Sequence, residues 1–251
     1  MASRIRYLLL LALKYATRLF YRYELRWLHS PPPGPWPDLR VIALLHHTSL
    51  FEWLYVGLAP NHILKALAYR AVIPAADVTL ARPFIGRFLR AFGADVVPIT
   101  REKDSTWAEV LSRVAPNRVM VILPEGRMMR ADGLDKHGRP MTVRGGIADI
   151  LRAIPAGRML LAYSGGLHHI QIPGHGAPRL FRRILLAGEL VEIGAYKKAL
   201  GGDADPVEFK RAVIEDLEHR RDLRCGPLEV ELLGRERLGR RSPPEPRSPS
   251  G

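Results

Sequence analysis

A histidine and a glutamate, His47 and Glu52, are the first residues of this chain whose types and spacing could carry out chemistry. Five positions correspond to roughly 140° around a helix, so the two side chains cannot share a helical face. They meet only if His47 precedes a helix and Glu52 points back from its first turn. A neutral imidazole can take a proton from a hydroxyl, and a carboxylate at its other nitrogen fixes the tautomer and stabilises the imidazolium. The pair therefore predicts a general base, His47, that is oriented by Glu52.

The same segment allows a purely structural interpretation of Glu52. Ser49 and Glu52 have the spacing of a capping box, in which the glutamate accepts a hydrogen bond from a backbone N–H at the start of a helix. A capping glutamate and an orienting glutamate occupy similar space. The spacing therefore leaves both roles open.

Further polar residues follow two segments that have the composition of buried strands. Arg101 comes shortly after residues 95–99, and Glu125 comes shortly after residues 118–123. Ligands of open α/β sheets gather outside the carboxyl ends of the strands, and the arginine fork matches phosphate oxygens. We therefore predict that substrate is bound by Arg101, Glu125, Gly126 and Arg127. At a strand–turn junction, Glu125 could equally be an anchor for the turn.

Apolar runs alternate with helix-like stretches through most of the chain, which indicates an α/β fold with a mostly parallel central sheet flanked by helices. The predicted strands are residues 41–45, 95–99, 118–123, 159–163, 183–187 and 228–233. The predicted helices are residues 83–91, 105–114 and 144–154, and a capping sequence at Asp205 predicts a further helix start.

Residues 1–29 carry six basic residues and one acidic residue. The bases Lys14, Arg18, Arg22 and Arg26 recur every four positions and form one stripe on a helix. We predict an amphipathic helix over 1–29 that lies in the membrane interface with its basic residues toward the headgroups. A signal peptide and a core helix with a solvated basic face are the alternatives, although no small-residue cleavage site follows the apolar run.

The domain boundaries follow from composition. Residues 30–37 are rich in proline and predict a linker or stiff turn, because proline cannot continue a helix or a central strand. Residues 38–238 form the predicted folded domain. Residues 239–251 offer nothing apolar to bury and are predicted to be disordered.

The charge balance narrows the choice of partners. The 251 residues include 38 Lys and Arg against 25 Asp and Glu, a net charge of +13. Anionic membranes, phosphorylated small molecules and nucleic acid are the matching partners. The sequence has no helix-turn-helix, zinc or basic–aromatic RNA-binding pattern, so we predict no nucleic acid partner. The single cysteine, Cys225, excludes a disulfide framework.

Several segments, in this order and spacing, resemble the motif blocks of the glycerolipid acyltransferases, the 1-acylglycerol-3-phosphate acyltransferase superfamily. His47-Thr48-Ser49-Leu50-Phe51-Glu52 resembles the His-x4-Asp motif of that family. The other blocks are residues 83–93 with 98–101, residues 123–127 and, as a remnant, residues 159–163. The resemblance covers about residues 38–190.

The resemblance implies an acyltransferase in which the histidine deprotonates an acceptor hydroxyl, and the oxygen attacks the thioester of acyl-CoA or acyl-carrier protein. It implies no cofactor beyond that co-substrate, membrane lipids as partners, and a place at the cytoplasmic face of the plasma membrane. Glu52 stands where the family has aspartate. Arg127 and Met128 stand where it has threonine and arginine, so the phosphate-binding group is shifted.

Two other functions fit parts of the sequence. A metal-dependent hydrolase could use His46, His47 and Glu52 with the later histidines, although no fixed metal-ligand spacing appears and we predict no metal site. A nucleic-acid-binding module is suggested only by the net charge. The segment Ser164-Gly165-Gly166 lacks the nucleophile elbow of a serine hydrolase.

Overall fold

The computed structural model describes residues 2–100, 105–173, 177–202 and 205–238. Arg101, His175 and the tail 239–251 lie outside the described residues, so the predictions made for them stay predictions.

Seven strands form one sheet in the order β1-β7-β6-β2-β5-β3-β4. Five neighbouring strands are mutually parallel, namely β6, β2, β5, β3 and β4. Strand β7 runs antiparallel to β6, and β1 pairs parallel with β7 at the edge of the sheet. The predicted fold, a mostly parallel sheet flanked by helices, is confirmed. The strands are β1 Arg22–Trp27, β2 Leu39–Leu45, β3 Ala71–Ala76, β4 Asp95–Ile99, β5 Val119–Ile122, β6 Arg158–Ser164 and β7 Arg183–Glu192.

The helices cover both faces of the sheet, and β2 shows how the two layers are separated. Its residues Val41, Ala43 and Leu45 pack into the larger core with α6 and α8, whereas Ile42 and Leu44 face the opposite layer. The helices are α1 Ala2–Phe20, α2 Asn61–Arg70, α3 Asp77–Leu80, α4 Pro83–Phe92, α5 Ser105–Ser112, α6 Gly146–Ala153, α7 Ile193–Ala199 and α8 Pro206–Leu238, with a 3₁₀ helix at Glu52–Gly57.

The strand predicted at 228–233 is wrong, because these residues belong to α8, a helix of 33 residues. Leu228 and Leu232 are buried and lie four positions apart, which is helical spacing, whereas Val230 between them is exposed. The start of α8 is as predicted, with Oδ1 of Asp205 accepting a hydrogen bond of 2.7 Å from the backbone N–H of Val207.

The helix predicted over 1–29 is also wrong beyond Phe20, where α1 ends. From Arg22 onward the polar and aromatic residues alternate with a period of two, which suits the edge strand β1. Tyr23 and Leu25 pack on the sheet, while Arg26 forms ion pairs with Glu24 and with a glutamate of α8.

Helix α1 turns part of its basic stripe inward, against the predicted orientation, although Arg18 remains exposed. Lys14 is buried and donates to the backbone oxygen of Ala59 at 2.9 Å, and Nε of Arg18 donates to that of Gly57, also at 2.9 Å. The cations satisfy carbonyl oxygens at the ends of neighbouring elements, which explains the inversion. The outward face is apolar and exposes Ile5, Leu8, Leu9, Tyr15, Leu19 and Phe20.

Candidate active site

The turn after β2 brings His47 and Glu52 together. Glu52 is the first residue of the 3₁₀ helix, and its Oε2 lies 2.7 Å from Nδ1 of His47. Its Oε1 accepts a hydrogen bond of 2.9 Å from the backbone N–H of Thr48. The Ser49 hydroxyl accepts from the N–H of Phe51, so the capping box is not formed. Glu52 therefore holds the backbone and the imidazole at once.

The contact with Glu52 sets the protonation pattern of His47. The contact of 2.7 Å favours the neutral tautomer in which Nδ1 carries the proton and Nε2 keeps its lone pair, because a carboxylate only accepts, although the ring is not aligned for a hydrogen bond. Within the described part of the chain, no hydrogen bond to Nε2 is found. Burial lowers the pKa of His47, but the carboxylates of Glu52 and Glu125 outweigh it, and the pKa lies above its ordinary value. Nε2 is thus the atom that could accept a proton from a substrate.

Glu125 fixes the backbone of the same turn. Its carboxylate is 1% exposed, with Oε1 accepting from the N–H of His46 at 2.9 Å and Oε2 accepting from that of His47 at 2.7 Å. This geometry matches the turn-anchor alternative, and direct contact of Glu125 with substrate stays a prediction. The turn needs such an anchor because His46 has a φ of 71°, a left-handed conformation that non-glycine residues rarely adopt.

The predicted binding residues that follow Glu125 shape a loop. Gly126 has a φ of 61°, which favours glycine, and it lets the chain turn away from β5. Arg127 forms an ion pair with the buried Asp135, which also accepts from the N–H groups of His137 and Arg139. Burial alone would raise the pKa of Asp135, but these donors lower it to about 2. Arg127 therefore holds the loop between β5 and α6.

The neighbouring strand β6 contributes residues that the sequence analysis missed. Ser164 closes β6, and its hydroxyl hydrogen-bonds with Tyr55 and accepts from the N–H of Gly166. The Thr48 hydroxyl accepts from the N–H of Leu167 at 2.9 Å. Burial raises the pKa of Tyr55 well above its ordinary value. The signal that could have identified these residues is their position, because each of them follows or faces the carboxyl end of β2 or β6.

His46 points away from His47 and toward α8. Its Nδ1 lies 3.0 Å from the carbonyl oxygen of Ser164, and its Nε2 lies 3.7 Å from Oε2 of Glu229. His168 approaches the same glutamate, whereas His169 bonds the carbonyl oxygen of Arg183 elsewhere. A search of the described residues finds no group of three or more His, Cys, Asp or Glu side chains that could hold a metal ion.

The chain is similar in fold to the crystal structure of the 1-acyl-sn-glycerophosphate (LPA) acyltransferase PlsC from Thermotoga maritima. The TM-score is 0.53 and the sequence identity is 15%, with 88% of this chain and 82% of that chain covered. No protein-family model and no curated protein matches the chain. At this identity the similarity is one of fold.

Proposed function

We propose that the protein is an O-acyltransferase that moves a fatty acyl chain from acyl-CoA or acyl-carrier protein to a hydroxyl of a lysophospholipid or a related lipid. The contact of 2.7 Å between His47 and Glu52, at the carboxyl end of a central strand, is the observation that carries this proposal. The fold, which is similar to that of an acyltransferase, supports it. No cofactor besides the acyl donor takes part.

In the proposed reaction, Nε2 of His47 takes the proton of the acceptor hydroxyl. The hydroxyl oxygen attacks the thioester carbonyl carbon, so that a C–O bond forms and the C–S bond breaks. The leaving thiolate takes the proton from the imidazolium, which returns His47 to its neutral form. The negative charge of Glu52 stabilises the imidazolium, and such general-base catalysis contributes about 10²–10⁴-fold.

The substrate-binding residues proposed are Arg101 and the segment of Glu125, Gly126 and Arg127. Arg101 follows β4, whose carboxyl end lies at the same edge of the sheet as that of β2. Because Arg127 is already paired with Asp135, we expect Arg101 to contribute more to phosphate binding. Loss of a charge-assisted bond in Arg101→Ala should raise the KM for a phosphorylated substrate by about 10- to 150-fold. An unchanged KM for both acceptor and donor would place phosphate binding elsewhere.

The direct test supplies the purified protein with acyl-CoA or acyl-carrier protein and with lysolipids in vesicles. Acyl transfer yields an esterified lipid and one free thiol for each acyl chain, both measurable by mass spectrometry and thiol titration. A hydrolase, the alternative, would release free fatty acid instead. The absence of ester product with every donor and lysolipid would overturn the proposal.

Membrane association is the second part of the proposal. Among the described helices, none is long and apolar enough to cross a bilayer. Helix α1 is about 28 Å long at 1.5 Å per residue, and its exposed apolar face, from Ile5 to Phe20, would lie in the interface. Arg4, at one end of this face, and the net charge of +13 complement the anionic cytoplasmic leaflet of the plasma membrane.

A matched pair of substitutions tests this membrane surface. Leu19 on α1 is 75% exposed and Val207 on α8 is 74% exposed, so Leu19→Asp and Val207→Asp disturb the fold equally little. Only Leu19→Asp should weaken sedimentation with anionic vesicles, by about tenfold or more, because an inserted leucine contributes about 1.5–3 kcal/mol. Equal binding of the two variants would contradict the proposed surface.

A further inference from the structure

Two large apolar side chains, Leu180 and Phe181, are exposed just before β7 begins. Leu180 is 46% exposed and Phe181 is 68% exposed, in the described segment 177–182 that leads into β7. Phe20, the last residue of α1, lies beside them, with its ring centroid 6.3 Å from that of Phe181. We call Phe20, Leu180 and Phe181 the edge patch. The edge patch continues the exposed apolar face of α1 beyond the end of that helix.

The backbone of Phe181 is strained, and the strain holds an exposed ring. Phe181 has a φ of 59°, a left-handed conformation that is unfavourable for a bulky side chain. Its N–H donates to the carbonyl oxygen of Phe20 at 2.7 Å, and the N–H of Arg22 donates to that of Arg182 at 3.0 Å. These backbone bonds fix the conformation, but neither of them requires a phenylalanine side chain. A large apolar ring on a strained and exposed backbone therefore indicates binding rather than folding.

The edge patch lies at the edge of the sheet that carries His47. Strand β7 runs antiparallel to β6 with Leu186 opposite Ser164, so the residues before Arg183 lie beyond the carboxyl end of β6. Strand β1 begins at the same level, because Arg22 pairs with Arg183. Strand β2 is parallel to β6 and ends at this edge, directly before the turn with His47.

Hydrogen bonds connect the edge patch to the turn of the catalytic pair. The Thr48 hydroxyl in this turn accepts from the N–H of Leu167 at 2.9 Å. The carbonyl oxygen of Leu167 accepts from the N–H of Ile170, and the carbonyl oxygen of Ile170 accepts from the N–H of Arg179, both at 2.9 Å. Arg179 directly precedes Leu180. The connection between β6 and β7 therefore contacts the turn of the proposed base and also carries the patch.

A cleft of about 300 Å³ beside the edge patch carries positive charge. It is lined by both rings of the patch and by Arg18, Leu19, Tyr21 and Arg22. Of the described residues that line it, none is acidic. The acid Glu236 pairs with Arg182 at 2.7 Å and does not line the cleft. Two arginines between apolar side chains match the phosphate and the adjoining carbon atoms of a phospholipid.

We propose that the edge patch inserts into an anionic bilayer, with a lipid phosphate in the cleft lined by Arg18 and Arg22. The inference deepens the proposed membrane association, on which it rests, and adds a second contact besides the face of α1. The sheet edge with His47 then faces the bilayer, and the acceptor lipid reaches the base from the membrane. A second copy of the chain fits the patch less well, because a two-fold contact would place the arginines of both copies together.

Vesicle sedimentation tests the patch with a substitution that suits the backbone. Asparagine adopts the left-handed conformation more readily than phenylalanine, so Phe181→Asn should keep or raise the melting temperature. It should weaken binding to vesicles of equimolar phosphatidylcholine and phosphatidylglycerol by about 10- to 150-fold, as expected for one large apolar side chain. Val207→Asn, at a position 74% exposed on α8, is the control and should bind as the wild type does. Wild-type affinity in Phe181→Asn would overturn the inference.

The charge of the cleft is tested by Arg22→Gln. This variant should bind the same vesicles about fivefold more weakly, as expected for one basic residue at an anionic surface. Arg152→Gln is the control, because Arg152 is exposed on α6, in the helical layer on the other face of the sheet. Equal affinities of the two variants would overturn the phosphate site.

Two measurements identify what covers the patch. Emission of the tryptophan added in Phe181→Trp should be quenched by brominated acyl chains, whereas that added in Val207→Trp should not. Absence of quenching in Phe181→Trp would contradict insertion. Sedimentation equilibrium without lipid should give wild type and Phe181→Asn the same mass. A dimer that only the wild type forms would assign the patch to a second copy and overturn the inference.

Failure of this inference can be distinguished from failure of the proposed function. Leu8→Asp, at a position 62% exposed and far from the patch along α1, tests the face of α1 alone. Weaker binding in Leu8→Asp but not in Phe181→Asn would refute only the inference, whereas no binding of the wild type would refute the proposed membrane association. Phe181→Asn should also lower kcat/KM for a vesicle-bound lysolipid relative to that for a short-chain, water-soluble one. An unchanged ratio would overturn the proposed orientation of His47 toward the bilayer.

Discussion

His46 and His47 are consecutive residues in opposite surroundings. His47 has a carboxylate at 2.7 Å from Nδ1, which leaves no space for another group between them. His46 has a carboxylate at 3.7 Å from Nε2, with a second imidazole near the same carboxylate. A carboxylate in contact can orient a base, whereas His46 is held instead by the carbonyl oxygen of Ser164 at the end of β6. The comparison assigns the proposed proton transfer to His47 and a structural role to His46.

The largest effect is expected from exchanging the two histidines for alanine in turn. His47→Ala should lower kcat by about 10²–10⁴-fold, because the general base is lost. His46→Ala should lower kcat far less, because His46 points away from His47 and bonds the carbonyl oxygen of Ser164. Circular dichroism checks the fold of both variants. More than a tenth of wild-type turnover in His47→Ala would contradict the assignment.

The next effect separates the two glutamates. Glu52→Gln keeps an oxygen for the N–H of Thr48 but loses the charge beside His47, so kcat should fall at least about tenfold while the melting temperature barely moves. Glu229→Gln should lower kcat far less than Glu52→Gln, because Glu229 lies 3.7 Å from Nε2 of His46 and has no contact with His47. If Glu52→Gln lowered stability and spared activity, Glu52 would be a structural residue only.

Glu125 should affect both histidines together, since it accepts from the backbone N–H of each. Glu125→Gln keeps one oxygen acceptor and turns an amide NH₂ toward the other N–H, at a cost of about 1–3 kcal/mol in the free energy of unfolding. Chemical denaturation measures that cost. Turnover should fall together with stability, and a variant that loses stability but keeps full turnover would show that Glu125 does not position His47.

The smallest effect is a shift along the pH axis. Because Glu52 and Glu125 raise the pKa of His47, activity should rise as the pH passes a value above about 6.5. In Glu52→Gln, burial lowers the pKa of His47 and only the carboxylate of Glu125 still opposes it. The rising limb of the kcat/KM profile should therefore move to lower pH. The stabilisation from protonated His47 is complete below pH 6.5 and disappears as the pH rises through the folded-state pKa. A limb that stays in place in Glu52→Gln would contradict the coupling.

The sequence predicts five of the seven strands and the contact of His47 with Glu52 because these depend on local information, whereas β1 was assigned to a helix and β3, which contains Pro74, was not predicted. Apolar runs such as residues 159–163 mark buried strands, and His47 with Glu52 can meet only across the start of a helix. The strand predicted at 228–233 is wrong because this segment satisfies two periods at once. Residues 228–233 alternate like a strand but bury Leu228 and Leu232 as a helix does, and only packing of α8 on the sheet decides between them.

The approach of Glu229 to His46 could not be predicted from the sequence. Glu229 is about 180 positions from His46, and the two meet because α8 crosses the end of the sheet. The orientation of α1 could not be predicted from the sequence for a similar reason. Its basic and apolar faces are both well formed, and which face points inward depends on carbonyl oxygens such as those of Gly57 and Ala59, 39 and 45 positions away from the donors.

The inward bonds of α1 have a consequence for any shortened form of this protein. Arg18 and Lys14 hold the residues that end the 3₁₀ helix of Glu52, and β1 follows α1 directly in the chain. Removing residues 1–29 would therefore loosen the support of Glu52. It would also leave β7 as an open edge of the sheet, and chains aggregate along such edges. A more soluble form with an intact site should be sought by replacing Leu8 or Leu19 with polar residues while residues 1–29 are kept.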